Sequence, residues 1–260
     1  MKQFIKTYWK TLLFFGVIGL VGGFFVGLYA LESYPVEIQQ QLIAEVEKAG
    51  ISGISVDILL AIVTAMQSLG YGVILGGVGI YLAKKIGLWK DEKNIEKQPL
   101  IATLIIAAVG GLALILPDVL WFGKQLQAIM DTYAAKPTIP YLLATVTYGA
   151  VIEEVLLRLF AMSLVAFILH KIFGKKEEKP SETLFMVANI VAALFFAVGH
   201  LPTNIALFGG SFLVIFRCIL LNGAMGLAFG WLYRKYGLRY AMIAHGGCHI
   251  VSKLIWILFI

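Results

Sequence analysis

Between Pro140 and Ile168 the chain reads PYLLATVTYGAVIEEVLLRLFAMSLVAFI, and Glu153, Glu154 and Arg158 are its only charges. No other stretch constrains the fold as strongly. A crossing helix needs about 20 predominantly apolar residues, and an unneutralised charge at its centre costs roughly 2.5 to 3.5 kcal/mol on insertion scales. Three such charges on one crossing must face the protein interior, where they mark either a functional site or a structural ion-pair network.

Six further runs, about 11–31, 56–83, 99–122, 183–201, 211–233 and 239–259, are of crossing length. With the run at 139–169 they predict an all-α, polytopic membrane helix bundle of seven transmembrane helices, or eight if the segment near Asn204 to Ser211 is broken or re-entrant. Composition agrees: the chain is 60% hydrophobic and 14% charged, against roughly 45 to 50% and about 25% for a soluble domain. The net charge of +6 does not point to nucleic acid, because the basic residues sit in short connections between apolar runs. They gather at the N-terminus, at 84–97, at 171–179 and at 234–239, alternating with the connections around 32–48, 124–136 and 202–210. The positive-inside rule then places the N-terminus in the cytoplasm and the C-terminus outside, in an integral, multi-pass membrane protein.

Lys2, Lys6 and Lys10 ahead of the first run imitate a signal peptide, but the run is long for one and lacks a small-x-small cleavage site, so it reads as a retained span. The stretches 35–50 and 121–133 mix apolar and polar residues at helical spacing and are expected along the outer interface. Cys218 and Cys248 lie inside apolar segments and read as buried thiols packing as small hydrophobes. No internal repeat stands out, and residues 1–260 read as a single transmembrane domain.

Helical geometry separates the two glutamates. Glu154 and Arg158 are four apart and share a face, so they can pair, whereas Glu153 points away and keeps a desolvated carboxylate suited to a general base. Gly149, one turn before Glu153, leaves room for a water or a substrate backbone, or else for a packed helix. Three of the four histidines lie in apolar segments. Phe196 stands one turn before His200, and His245 and His249 are four apart and can face one point in the bundle.

Taken in order, EEVLLR at Glu153 to Arg158, Phe196-x-x-x-His200 and the final His245 segment resemble the CPBP family of intramembrane proteases. That family contains the CaaX prenyl proteases and bacterial relatives linked to bacteriocin immunity; its pattern is EExxxR, FxxxH and HxxxN or HxxxD. The resemblance covers roughly Tyr141 to the C-terminus and implies a motif-bearing protease core at about 139–260. It implies that Glu153 and His200 activate a water, that Glu154 and Arg158 support them beside Phe196, and that His245 helps hold the oxyanion. The chain departs from the pattern at His249, where the family has Asn or Asp. An imidazole can still donate a hydrogen bond, so His249 is expected as the second oxyanion donor. The same residues pose a metal alternative, since His200, His245 and His249 with one glutamate would suit zinc. Metal-free catalysis with no cofactor is favoured, because a glutamate used as a ligand leaves no obvious base.

The expected activity is therefore an intramembrane endopeptidase acting on a peptide or membrane-protein substrate in or beside the lipid bilayer. A proton-coupled membrane transporter is the alternative, disfavoured by small size and the lack of a repeat. A non-catalytic membrane binding partner is a third reading. Depth poses a problem for all three. At 1.5 Å per residue, Glu153 falls near mid-membrane, His200 near the outer end of its span and His245 near the inner end. Either the fifth span is short and starts deep, or the chain after Arg239 dips back before crossing.

Overall fold

The computed structural model describes residues 2–91, 94–174 and 177–260. Helix accounts for 86% of the structure, with no strand among the described residues. Only helices or closed barrels satisfy every backbone polar group in hydrocarbon, so apolar runs of this length become helices. In chain order they are α1 (Lys2–Ser33), α2 (Val36–Lys48), α3 (Val56–Lys85), α4 (Lys97–Gln125), α5 (Gln127–Ala134), α6 (139–173), α7 (Glu182–Gly199), α8 (Leu201–Phe208), α9 (Phe212–Tyr236) and α10 (Leu238–Phe259).

Among the described residues, six helical stretches are long and apolar enough to cross a membrane: α1, α3, α4, α7 continued through α8, α9 and α10. The chain is thus a multi-pass membrane protein. Helix α6, with Glu153, Glu154 and Arg158 at its middle, is not among the six.

Small residues bring the helices together where lipid provides no hydrophobic drive. Along α1, Gly16, Gly19, Gly23 and Gly27 recur every three or four residues, and side-chain carbons at Gly23 and Gly27 would run into the backbone of α3 at Thr64 and Ala61. Thr64 seals this contact by donating its hydroxyl to the Gly23 carbonyl at 2.6 Å. Spans one to three carry no motif, and this glycine stripe is the sequence signal that their reading passed over. Gly237 alone separates α9 from α10, with φ of 108°, a conformation open to glycine and strained for other residues.

The basic segments gather on one face. Lys84 donates to the Tyr8 hydroxyl at 2.5 Å, Lys90 to the Lys235 carbonyl, and Arg239 to the Asn94 carbonyl at 3.3 Å. Aromatic rings gather at the other face, with Tyr141 between Tyr29 (5.3 Å between centroids) and Trp256 (6.2 Å). Of the two stretches expected along the interface, 35–50 forms α2, which has no buried residue. The other divides: residues 121–125 form the end of α4, and 127–133 fold in α5 with Ile129 buried and Tyr133 against Trp256.

Neither remedy expected for the depth problem is adopted. Helix α7 keeps its 18 residues and α10 its 22 without a break. Instead the chain continues past His200 into α8, so His200 lies inside a 27-residue stretch and not at its end. Phe196 spans the remaining gap, its ring centroid 4.7 Å from that of His200 and 5.6 Å from that of His245.

Candidate active site

Residues 145–162 of α6 are wound wider than an α-helix, in two π-helical stretches that meet at Glu154. Such winding is rare and concentrates at functional sites. The expected ion pair survives it: Arg158 Nη1 lies 3.1 Å from Glu154 Oε1, with the two side chains 1% and 0% exposed. Arg158 Nη2 donates to the Gly226 carbonyl on α9 at 3.1 Å. Phe196 and Phe229 cover the guanidinium, their centroids 4.6 and 5.4 Å from its carbon. One carboxylate, one carbonyl and two rings thus replace water around a buried cation.

Glu154 has a second partner that helix geometry alone did not reveal. His245 Nδ1 donates to the same Oε1 at 2.9 Å, which joins α10 to α6. The imidazole stacks on Phe229 at 4.6 Å and 20°. Its Nε2 lies 3.8 Å from Glu153 Oε2, beyond hydrogen-bond reach. Glu153 is 20% exposed at its side chain and makes no ion pair with Arg158, as the helical spacing implied.

His200 sits at the junction of α7 and α8. Its Nδ1 lies 2.8 Å from the Phe196 carbonyl, which can only accept, so Nδ1 is the donor. Among the described residues, the only histidine nitrogens within 4.0 Å of a carboxylate belong to His245. Glu153 and His200 are therefore not in direct contact. His249 follows His245 with 5.0 Å between centroids. A side-chain carbon at Gly149 would lie 3.3 Å from His249 Nε2, so this glycine packs against an imidazole and the space it leaves is taken.

The three imidazoles, Phe196, Phe229 and Asn222 border one cavity of about 30 Å³, room for one or two waters. Glu154 Oε2 and His249 Nδ1 are buried without a hydrogen-bond partner, and buried polar atoms of that kind are commonly satisfied by ordered water. A larger groove of about 360 Å³ between α7 and α9 has an almost wholly apolar lining and offers no chemistry.

Among the described residues no group of three or more His, Cys, Asp and Glu side chains is arranged to hold a metal ion. His200, His245 and His249 border one cavity, and His245 Nδ1 is committed to Glu154.

Two features escaped the sequence reading. Asn222 reaches the histidine cavity from α9, donating to the Cys218 carbonyl at 2.9 Å. Asp118 and Arg217 form an ion pair between α4 and α9, with side chains 0% and 14% exposed. The signal for that pair was present, since each is a charge inside an apolar run.

These features define a class: a multi-pass helical membrane protein with a Glu, Arg and His cluster and a small histidine-bordered cavity between its helices. Residues 135–251 match the family model described as type II CAAX prenyl endopeptidase Rce1-like, in agreement with the motif resemblance. The match runs from before α6 into α10 and contains every motif residue, while residues 1–134 lie outside it. No curated protein and no solved structure is similar enough to the chain to count as a match. That similarity supports a protease working in the membrane on peptide substrates.

Proposed function

We propose that the chain is an intramembrane endopeptidase in which Glu153 is the general base. The carrying observation is the division of labour between adjacent carboxylates: Glu154 is buried and held through Oε1 by Arg158 and His245, whereas Glu153 is partly exposed and has no ion-pair partner within hydrogen-bond reach. Because Glu153 and His200 do not touch, a water between them would receive one hydrogen bond acceptor from each. Glu153 takes a proton from that water as the oxygen attacks the scissile carbonyl carbon. The resulting oxyanion is held between the ring of His245, whose Nδ1 bonds to Glu154, and His249, which has a buried nitrogen without a partner. The proton on Glu153 then passes to the amide nitrogen, and the C–N bond breaks.

The reading also takes residues 1–260 as one transmembrane unit with its core at 139–260, and α6 as the seventh crossing. Purified protein incubated with a peptide ending in a prenylated CAAX sequence should release a C-terminal fragment detectable by mass spectrometry. Proton flux in vesicles with no cleavage would favour the transporter, and peptide binding with neither would favour a non-catalytic partner.

Orientation follows from the gathering of basic segments on one face, which we place in the cytoplasm. In a background lacking Cys218 and Cys248, a cysteine at Glu177 should label from the cytoplasmic side, and cysteines at Glu45 and Thr132 from outside. The reverse pattern would invert the topology.

His249→Asn should retain substantial activity, since an amide nitrogen can donate to an oxyanion as the imidazole does. Metal content and peptide cleavage measured together decide the point. Stoichiometric zinc in the parent protein, lost along with activity in the variant, would overturn the metal-free mechanism.

A further inference from the structure

The Asp118–Arg217 pair lies outside the motifs, yet it connects to them. Arg217 Nε and Nη2 each reach an oxygen of Asp118 at 2.5 Å, a two-pronged bond between α9 and α4. The remaining arm, Nη1, donates to Asn204 Oδ1 at 2.9 Å, and Asn204 Nδ2 donates to the His200 carbonyl at 2.9 Å. On the other side, the Tyr133 hydroxyl donates to Asp118 Oδ2 at 2.9 Å, and Trp256 Nε1 donates to the Tyr133 carbonyl at 2.8 Å. Burial, and then the Asp118 carboxylate, push the Tyr133 phenol up, which keeps it a donor. An unbroken series of polar contacts therefore runs from α10, the helix of His245 and His249, through α5, α4, α9 and α8 to the backbone of His200.

His200 has reason to need such an anchor. It lies where α7 ends and α8 begins, between Gly199, around which there is open space, and Leu201-Pro202, where the proline lacks a backbone N–H. A side chain on a regular helix inherits its direction from the backbone, but one at a junction takes it from whatever holds the junction. The guanidinium fork suits this task, because its planar donors fix both the carboxylate and the amide in direction as well as distance.

We propose that Arg217, oriented by Asp118 and acting through Asn204, is a positioning residue that holds the α7–α8 junction and aims the His200 imidazole into the cavity. This rests on the proposed catalytic role of His200. Removing Arg217 alone would leave Asp118 buried and unpaired, so the informative variant removes both charges, Asp118→Leu with Arg217→Met, which such ion pairs commonly tolerate. Asn204→Ala breaks the link while leaving the ion pair in place, and decides the question alone should the double variant fail to fold.

Both variants should keep KM for the prenylated CAAX peptide within about twofold and lower kcat by about 10- to 100-fold, the effect of misplacing a reacting group by an ångström or so. Ring ¹⁵N spectra of histidine-labelled protein, with His200 assigned from a His200→Gln sample, should show a single Nδ1–H tautomer in the parent and a tautomer mixture in the variants. Folded variants with unchanged kcat and unchanged His200 spectra would overturn the proposal. So would a lowered Tm with kcat intact, the mark of a purely structural ion pair. A His200 tautomer that responds to the variants, in a parent protein that cleaves no peptide, would uphold the positioning and overturn the protease reading.

Discussion

Glu153→Gln is expected to lower peptide cleavage by about 10²- to 10⁴-fold, the range for loss of a general base, while the protein still inserts, purifies and melts as before. The amide keeps the shape of the carboxylate and loses only its basicity. Little structure depends on that basicity, since Glu153 makes no ion pair with Arg158 and stands 3.8 Å from His245. Steady-state cleavage measured beside a thermal melt checks the claim. Full activity in the variant would sink the mechanism.

The neighbouring residue should behave in the opposite way. Glu154→Ala removes the only carboxylate among the described residues that is within ion-pair distance of Arg158, and leaves a guanidinium 1% exposed among Phe196, Phe229 and the Gly226 carbonyl. Breaking one partner of a buried ion pair costs about 3 to 5 kcal/mol, enough to consume much of a domain's net stability. We expect a large loss of folded, detergent-soluble protein, read by size-exclusion profile and Tm. The double replacement Glu154→Leu with Arg158→Met should recover part of the yield while remaining inactive, because His245 would still lack its carboxylate. If Glu154→Ala melts like the parent, the pair is not structural.

The contrast between adjacent glutamates was legible from spacing alone, because i and i+4 side chains share a helix face whatever surrounds them. The same holds for Phe196 with His200 and for His245 with His249. The bond from His245 to Glu154 was not legible. It depends on how α10 packs against α6, and no rule of spacing within one helix reports on contacts 91 residues apart. Gly149 shows the same limit: an absent side chain signals close approach without saying whether water or an imidazole fills the space. Asp118 and Arg217 are a different kind of miss. Their charge inside apolar runs was as readable as that of Glu153, but a single charge in each of two runs names no partner, whereas three charges in one run can be paired by helical spacing.

The wide winding of residues 145–162 makes the geometry of the cluster a matter of chain length. A π-helical turn amounts to an extra residue accommodated without breaking the helix, and each residue of an α-helix turns the chain by about 100°. Glu153 and Glu154 fall where the two wide stretches meet, so their direction toward His245 depends on how many residues precede and follow them. A single deletion that let this segment relax to regular α-winding would preserve every motif letter and the hydropathy of the span. It would still rotate one side of the cluster relative to the other by roughly a quarter of a turn.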